Sequence, residues 1–167
     1  MQPVMIDNVF SDKRFSELLE YFKSLIFVSG IEQGSRTMFD SINNPILQML
    51  GQELLPIAKK AFNNENIFSV KTTFAHYEGI QGILRKHKDK QPDTMVIDVC
   101  MYEDIPWGIV IEDKDYIFPV NSAVAFKSGQ VDHWRKPNPD PKNNKTGVLL
   151  AYYNELTLDI YSPPVGE

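Results

Sequence analysis

A histidine and a carboxylate stand two residues apart in the run Arg85-Lys86-His87-Lys88-Asp89-Lys90. On an extended segment side chains alternate with period two, so His87 and Asp89 project to the same side. An imidazole nitrogen and a carboxylate oxygen side by side are two thirds of a metal site. The chain offers a third ligand in His133, on a stretch that also reads as a strand. Two histidines and one carboxylate leave coordination positions open for exchangeable ligands, as a reactive metal centre requires. Without His133, the charged run would read as a solvated turn. His133 by itself would read as a histidine packed beside Trp134.

The elements that must position these groups follow from the rest of the chain. With 167 residues, 43% apolar and 23% charged, the sequence has the composition of one globular domain, long enough to bury a core. Its net charge of -5 argues against a nonspecific grip on phosphate backbones, so no strong nucleic-acid signal is read. Cys100 is the one cysteine, which excludes a disulfide framework and fits a reducing compartment. No signal-like N-terminus and no membrane-length apolar run is present, so a soluble cytoplasmic protein is expected.

Val4-Met5-Ile6 reads as a first strand. Ser11 then caps a helix carrying Phe15, Leu18, Leu19 and Phe22 on one face. Residues 30–44 are broken by Gly, Ser and Asn and read as a loop, and as part of a pocket rim. Pro45 opens a helical stretch to about Phe62, in which Pro56 predicts a kink or two helices in tandem. After Ile67 short β-branched and aromatic runs take over: Phe68 to Tyr77, Thr94 to Tyr102, Gly108 to Ile111, Tyr116 to Pro119, Ala123 to Phe126, Gly147 to Tyr153, and Leu156 to Tyr161. Helices first and strands afterwards predict an α+β fold, with the helices packed on one face of a barrel or sandwich. A single domain, 1–167, is expected, with 1–66 as mainly helical support and 67–161 as the core.

From Thr73 to Asn154 the sequence resembles the Fe(II)- and 2-oxoglutarate-dependent oxygenases, and within them the prolyl-4-hydroxylase-like branch. The resemblance rests on His87-x-Asp89, the later His133, and a basic residue, Lys145, before Thr-Gly-Val-Leu-Leu-Ala-Tyr-Tyr. It also rests on Tyr77, ten residues before His87, and on Trp107-Gly108 ahead of an apolar hairpin. It implies a double-stranded β-helix (jelly roll) preceded by helices. It further implies Fe(II) on His87, Asp89 and His133, and 2-oxoglutarate held by Lys145 and Tyr77, with Tyr102 as a further pocket residue. Lys142 suits the family's spacing from His133 better than Lys145, but it lies in the loop Pro137 to Lys145 among Pro and Asn. In such an enzyme 2-oxoglutarate and O2 are consumed, succinate and CO2 are released, and a substrate C–H is hydroxylated. The branch implies a peptide or protein side chain as substrate, proline above all, while related enzymes act on small molecules.

Two other readings remain open on the sequence: a metal-dependent jelly-roll enzyme that is not an oxygenase, and a metal-free jelly-roll binding or structural domain. His76 should face away from Tyr77 and reads as structural. Cys100 reads as a small buried hydrophobe. Trp134 and Arg135 read as either pocket mouth or plain surface. The sequence does not indicate an oligomeric state.

Overall fold

The computed structural model describes every residue except 28–29, 33–35, 79–83 and 157–167. Ser11 caps the first helix, α1 (Asp12–Leu25), its hydroxyl accepting from the Arg14 N–H at 3.3 Å. Asn44 caps the second, α2 (Pro45–Glu53), accepting from the Leu47 N–H at 3.1 Å. Pro45 takes the first turn, where a missing N–H costs nothing. Pro56 stands in the first turn of α3 (Leu55–Phe62), so the stretch from Pro45 is two helices in tandem that meet at Leu54. A proline inside one continuous helix would have removed a ladder hydrogen bond.

The strands are β1 (Val4–Ile6), β2 (Ile31–Glu32), β3 (Arg36–Asp40), β4 (Ile67–Tyr77), β5 (Leu84–His87), β6 (Met95–Glu103), β7 (Ile109–Ile111), β8 (Lys114–Tyr116), β9 (Ala123–Phe126), β10 (His133–Arg135) and β11 (Thr146–Glu155). They form a seven-stranded sheet, in the order β1-β9-β6-β11-β4-β3-β2, and a four-stranded sheet, β5-β10-β7-β8. All the pairings are antiparallel. Two such sheets face to face make a jelly roll with an α+β whole, as the sequence predicts.

Two apolar layers hold this together. On the outer face of the large sheet, Leu18, Phe22, Leu47, Leu50, Leu54 and Phe62 from the helices pack against Phe74, Ile97, Leu149 and Tyr153. Phe22 stacks on Phe74 with ring centroids 4.3 Å apart. Burying each of these side chains contributes about 2 kcal/mol, enough to fix the helices on the sheet. Between the sheets lie Met38, Ala75, Tyr77, Val96, Cys100, Trp107, Ile111, Phe126, Val148 and Leu150. Gly108 permits the close approach there, since a Cβ on it would run into the backbone carbonyl of Tyr116.

The structure departs from expectation in three places. Residues 30–44 are not all loop: β2 and β3 extend the large sheet, and a 3-10 turn follows at Ser41–Asn43. Among the described residues, the first 66 thus supply three strands as well as helical cover. The strand expected at Tyr116 to Pro119 lies earlier, at Lys114–Tyr116. Here Glu112 and Asp113, both at positive φ, turn the chain tightly after β7. The strand expected from Leu156 to Tyr161 falls outside the described residues after Leu156, which is not in a strand.

Candidate metal centre

The pairing of β5 with β10 sets His133 directly opposite His87, and their ring centroids lie 4.3 Å apart. Asp89 follows the end of β5, and its main-chain N–H donates to the carbonyl of Ser128 at 3.0 Å. One ligand atom from each of His87, Asp89 and His133 falls within 4.8 Å of the others. Nε2 of His87 stands 3.9 Å from Oδ1 of Asp89.

The ring tautomers follow from the neighbours. Nδ1 of His87 lies 2.7 Å from the Arg85 carbonyl, and Nδ1 of His133 lies 3.2 Å from the Val131 carbonyl. A carbonyl only accepts, so each Nδ1 carries the hydrogen and each Nε2 presents its lone pair. Burial, above all, holds the His133 imidazolium below its ordinary pKa. This keeps the neutral, ligating form available. Phe126 packs edge-on against His133 at 5.1 Å, and this shields one side of the ring.

The donor set fits a divalent cation. Oδ2 of Asp89 is buried with no hydrogen-bond partner, an arrangement that costs free energy unless a counter-charge arrives. One ring nitrogen of each histidine lies within 4.8 Å of the other and of an Asp89 oxygen. Two imidazoles and one carboxylate suit iron(II) with positions left open.

A cavity of about 230 Å³ opens on this triad and is lined further by Arg36, Met38, Thr73, Leu150 and Tyr152. Register explains the lining. Thr73 and Tyr77 of β4 face the same interior as Leu150 of β11 and Arg36 of β3, because Arg36 pairs with Tyr77 and Leu150 with Thr73. A guanidinium N–H of Arg36 donates to the Tyr77 hydroxyl at 2.9 Å. The Tyr77 ring is 1% exposed, lies edge-on to Trp107 at 5.2 Å, and has the Arg36 and Arg135 guanidinium groups 5.8 and 5.6 Å from its centroid.

Arg135 is therefore neither pocket mouth nor surface. It is 3% exposed and donates to Asp98 at 2.6 Å and to the Trp107 carbonyl at 2.9 Å. Burial pushes the Asp98 carboxyl up against the pull of Arg135. Trp134 points the other way, under the Lys86 ammonium at 4.5 Å.

The structure brings His87, Asp89, His133 and Tyr77 to one interior, and it leaves Lys145 and Tyr102 out. Thr146, Val148, Leu150 and Tyr152 face between the sheets, so alternation turns Lys145 outward. Its ammonium lies 3.0 Å from Glu78. Tyr102 is two residues from the inward Cys100 and should share its face. A bulge in β6 opposite Gly147 and Val148 breaks the alternation. Tyr102 consequently packs on the helix-side layer, its hydroxyl 2.8 Å from Nδ1 of His76. His76 lies buried against Tyr102 and Glu78, and Cys100 is buried. Lys142 is exposed in its loop. Arg36 is the residue that sequence reasoning missed. Its signal was the alternation Arg36, Met38, Asp40 within a segment read as loop.

No protein-family profile matches the chain, and no curated protein matches it in sequence. Solved structures do match in shape. The non-heme alpha ketoglutarate dependent epimerase SnoN from nogalamycin biosynthesis superposes with a TM-score of 0.78 at 9% identity, covering 92% of this chain and 78% of that one. HygX from Streptomyces hygroscopicus, with nickel, 2-oxoglutarate and hygromycin B bound, gives 0.73 at 8% identity, covering 93% and 83%. A Pseudomonas putida prolyl-4-hydroxylase gives 0.64 at 14% identity, covering 92% of both chains. The chain thus has the double-stranded β-helix fold seen in Fe/2-oxoglutarate oxygenases, with two histidines and an aspartate gathered at the mouth of its interior.

Proposed function

We propose that this protein is an Fe(II)- and 2-oxoglutarate-dependent dioxygenase that oxidises a C–H bond of its substrate. The observation that carries the reading is the approach of one ligand atom each from His87, Asp89 and His133 to within 4.8 Å of one another, with a buried carboxylate oxygen left unpartnered, at the mouth of a cavity containing Arg36. Bound there, iron with 2-oxoglutarate and O2 would supply the oxidising chemistry, succinate and CO2 being the coproducts.

The chain's own residues have three tasks in this reading. The two Nδ1 hydrogen bonds to backbone carbonyls hold the imidazoles in their ligating orientation. Arg36 and Tyr77 grip the distal carboxylate of 2-oxoglutarate, as a charge-assisted anchor inside a low-dielectric wall. Phe126, Leu150 and the Trp107 layer exclude water around them. Lys145, the residue the resemblance assigns to this anchor, is engaged with Glu78 outside the cavity.

For the substrate, a small organic molecule is the first reading, because the stronger structural likenesses are to SnoN and to HygX with hygromycin B bound. A peptidyl proline is the second, favoured by the likeness to the prolyl-4-hydroxylase. Among the described residues no helix is long and apolar enough to cross a membrane.

The test is anaerobic addition of Fe(II), then 2-oxoglutarate, to metal-free protein. A weak visible charge-transfer band should form in the wild type and disappear in His133→Ala. Metal binding without a band would favour a metal-dependent enzyme of another kind. No metal binding at all would leave a jelly-roll binding domain.

A further inference from the structure

A second cavity, of about 480 Å³, adjoins the metal centre and shares Lys71, Asp89 and Tyr152 with the first. Its remaining walls are Val70, Lys90, Gln91, Thr94 and Asn154. This volume is that of a small-molecule site, with a mixed apolar and polar lining. The shared residues fix its relation to the chemistry: a molecule filling it touches the wall that carries one of the three candidate metal ligands.

The charges in that lining have one sign apart from Asp89 itself. Lys71 rests over the Tyr152 ring at 4.7 Å, and neither Lys71 nor Lys90 makes an ion pair among the described residues. Asp89 is the one acid in the lining, so the two ammonium groups outnumber the carboxylates on this wall. In a chain with 22 acidic and 17 basic side chains, two unpaired ammonium groups on one cavity wall mark a local reversal of potential. Polar capacity is also held ready between them. The Asn154 amide donates to the Gln91 side-chain carbonyl at 3.0 Å, while its own Oδ1 is buried without a partner. An incoming hydroxyl or N–H would satisfy that oxygen.

We infer that this cavity is the substrate site, and that its substrate is an anionic small molecule whose carboxylate or phosphate pairs with Lys71 and Lys90. A hydroxyl or amide on the same molecule would reach Asn154. This rests on the oxygenase reading only for the word substrate; the anion preference of the cavity stands on its own lining. Lys71 serves as gatepost between the two cavities. The anion would be held at the outer cavity, leaving the neutral end of the molecule directed towards the metal centre.

The test uses the full chain without metal, so that probes cannot ligate iron. Phenyl phosphate, benzoate, benzyl alcohol and benzylamine are titrated while amide chemical shifts are followed. Phosphate- and carboxylate-bearing probes should shift Gln91, Thr94 and Asn154, and comparison of the two gives the preferred anion. The neutral and cationic probes should leave these resonances in place. Lys71→Gln and Lys90→Gln should each weaken the better probe about fivefold, the size of a partly exposed ion pair. Equal binding of the neutral probe, or anion binding indifferent to both lysine substitutions, would overturn the inference. Failure of the 2-oxoglutarate band with anion binding intact would instead count against the oxygenase reading alone.

Discussion

His87 and His133 face each other across one rung of the β5–β10 pair, at a ring separation of 4.3 Å. Neither ring donates to the other, since each Nδ1 is spent on a backbone carbonyl within its own strand region. Two lone pairs are therefore held close together next to a carboxylate, and the ladder itself maintains the spacing.

A cation that binds the folded chain and not the unfolded one stabilises it by mass action. Fe(II), or Ni(II) as an oxygen-stable substitute, at a hundredfold excess over its dissociation constant should add about 2.7 kcal/mol. For a chain of this size that raises Tm by roughly 5–10 °C. Asp89→Asn should abolish the shift, and its own metal-free Tm should not fall, because it neutralises a carboxylate whose Oδ2 has no partner. An unchanged metal response in Asp89→Asn would remove Asp89 from the centre.

The two candidate anchors for 2-oxoglutarate separate cleanly. Arg36→Ala removes a guanidinium from the triad's own cavity, and a lost charge-assisted hydrogen bond of about 1.5–3 kcal/mol should weaken 2-oxoglutarate roughly 10–150-fold. Lys145→Ala breaks a half-exposed contact with Glu78 and should leave affinity within about twofold. Calorimetric titration of 2-oxoglutarate into the Ni(II) protein reads both. The opposite ranking would show that β11 turns Lys145 inward when the cosubstrate binds.

An α+β barrel or sandwich was legible in the turn residues between β-branched runs, and the shared side of His87 and Asp89 in their spacing on an extended segment; the jelly roll itself entered through the family resemblance. The placement of Lys145 and Tyr102 was not legible, for a common reason. β6 and β11 are buried on both faces, so their apolar runs carry no alternation from which to read which side a residue faces. The β6 bulge then reverses Tyr102 relative to Cys100, and a bulge has no sequence signature here. Arg36 was hidden differently. β3 is five residues long and sits among Gly, Ser and Asn, where strand and loop look alike until β4 pairs with it.

Glu78 gives a pH signature for the contact that occupies Lys145. The His76 ring, first, and Lys145, second, hold its carboxyl below the usual carboxylate range. A depressed carboxyl stabilises the fold above its unfolded pKa, near 4.3, and the contribution is lost as pH falls through the lowered value. Half exposure and solvent screening keep it below about 1 kcal/mol. Glu78→Gln should therefore lower stability slightly at neutral pH and flatten the acid limb of a denaturation series below about pH 4. A variant curve parallel to the wild type across that range would show that the contact contributes nothing in solution.

Asp98 and Arg135 form the most buried ion pair among the described residues, at 1% and 3% exposure and 2.6 Å. Removing one partner strands the other charge in the interior, so Arg135→Met should cost about 3–5 kcal/mol. Replacing both, as Asp98→Leu with Arg135→Met, removes the stranded charge and should recover most of that loss. Because Arg135 lies on β10 two residues from His133, its loss should also loosen the ligand, and metal affinity in the single variant should fall with stability and return in the double. Urea denaturation and Ni(II) titration of the three variants measure both quantities. If the double variant regains stability but not metal, the Arg135 guanidinium does more than fill the core: its hold on the Trp107 carbonyl and its position over Tyr77 would then be what keeps β10 in register beneath the metal centre.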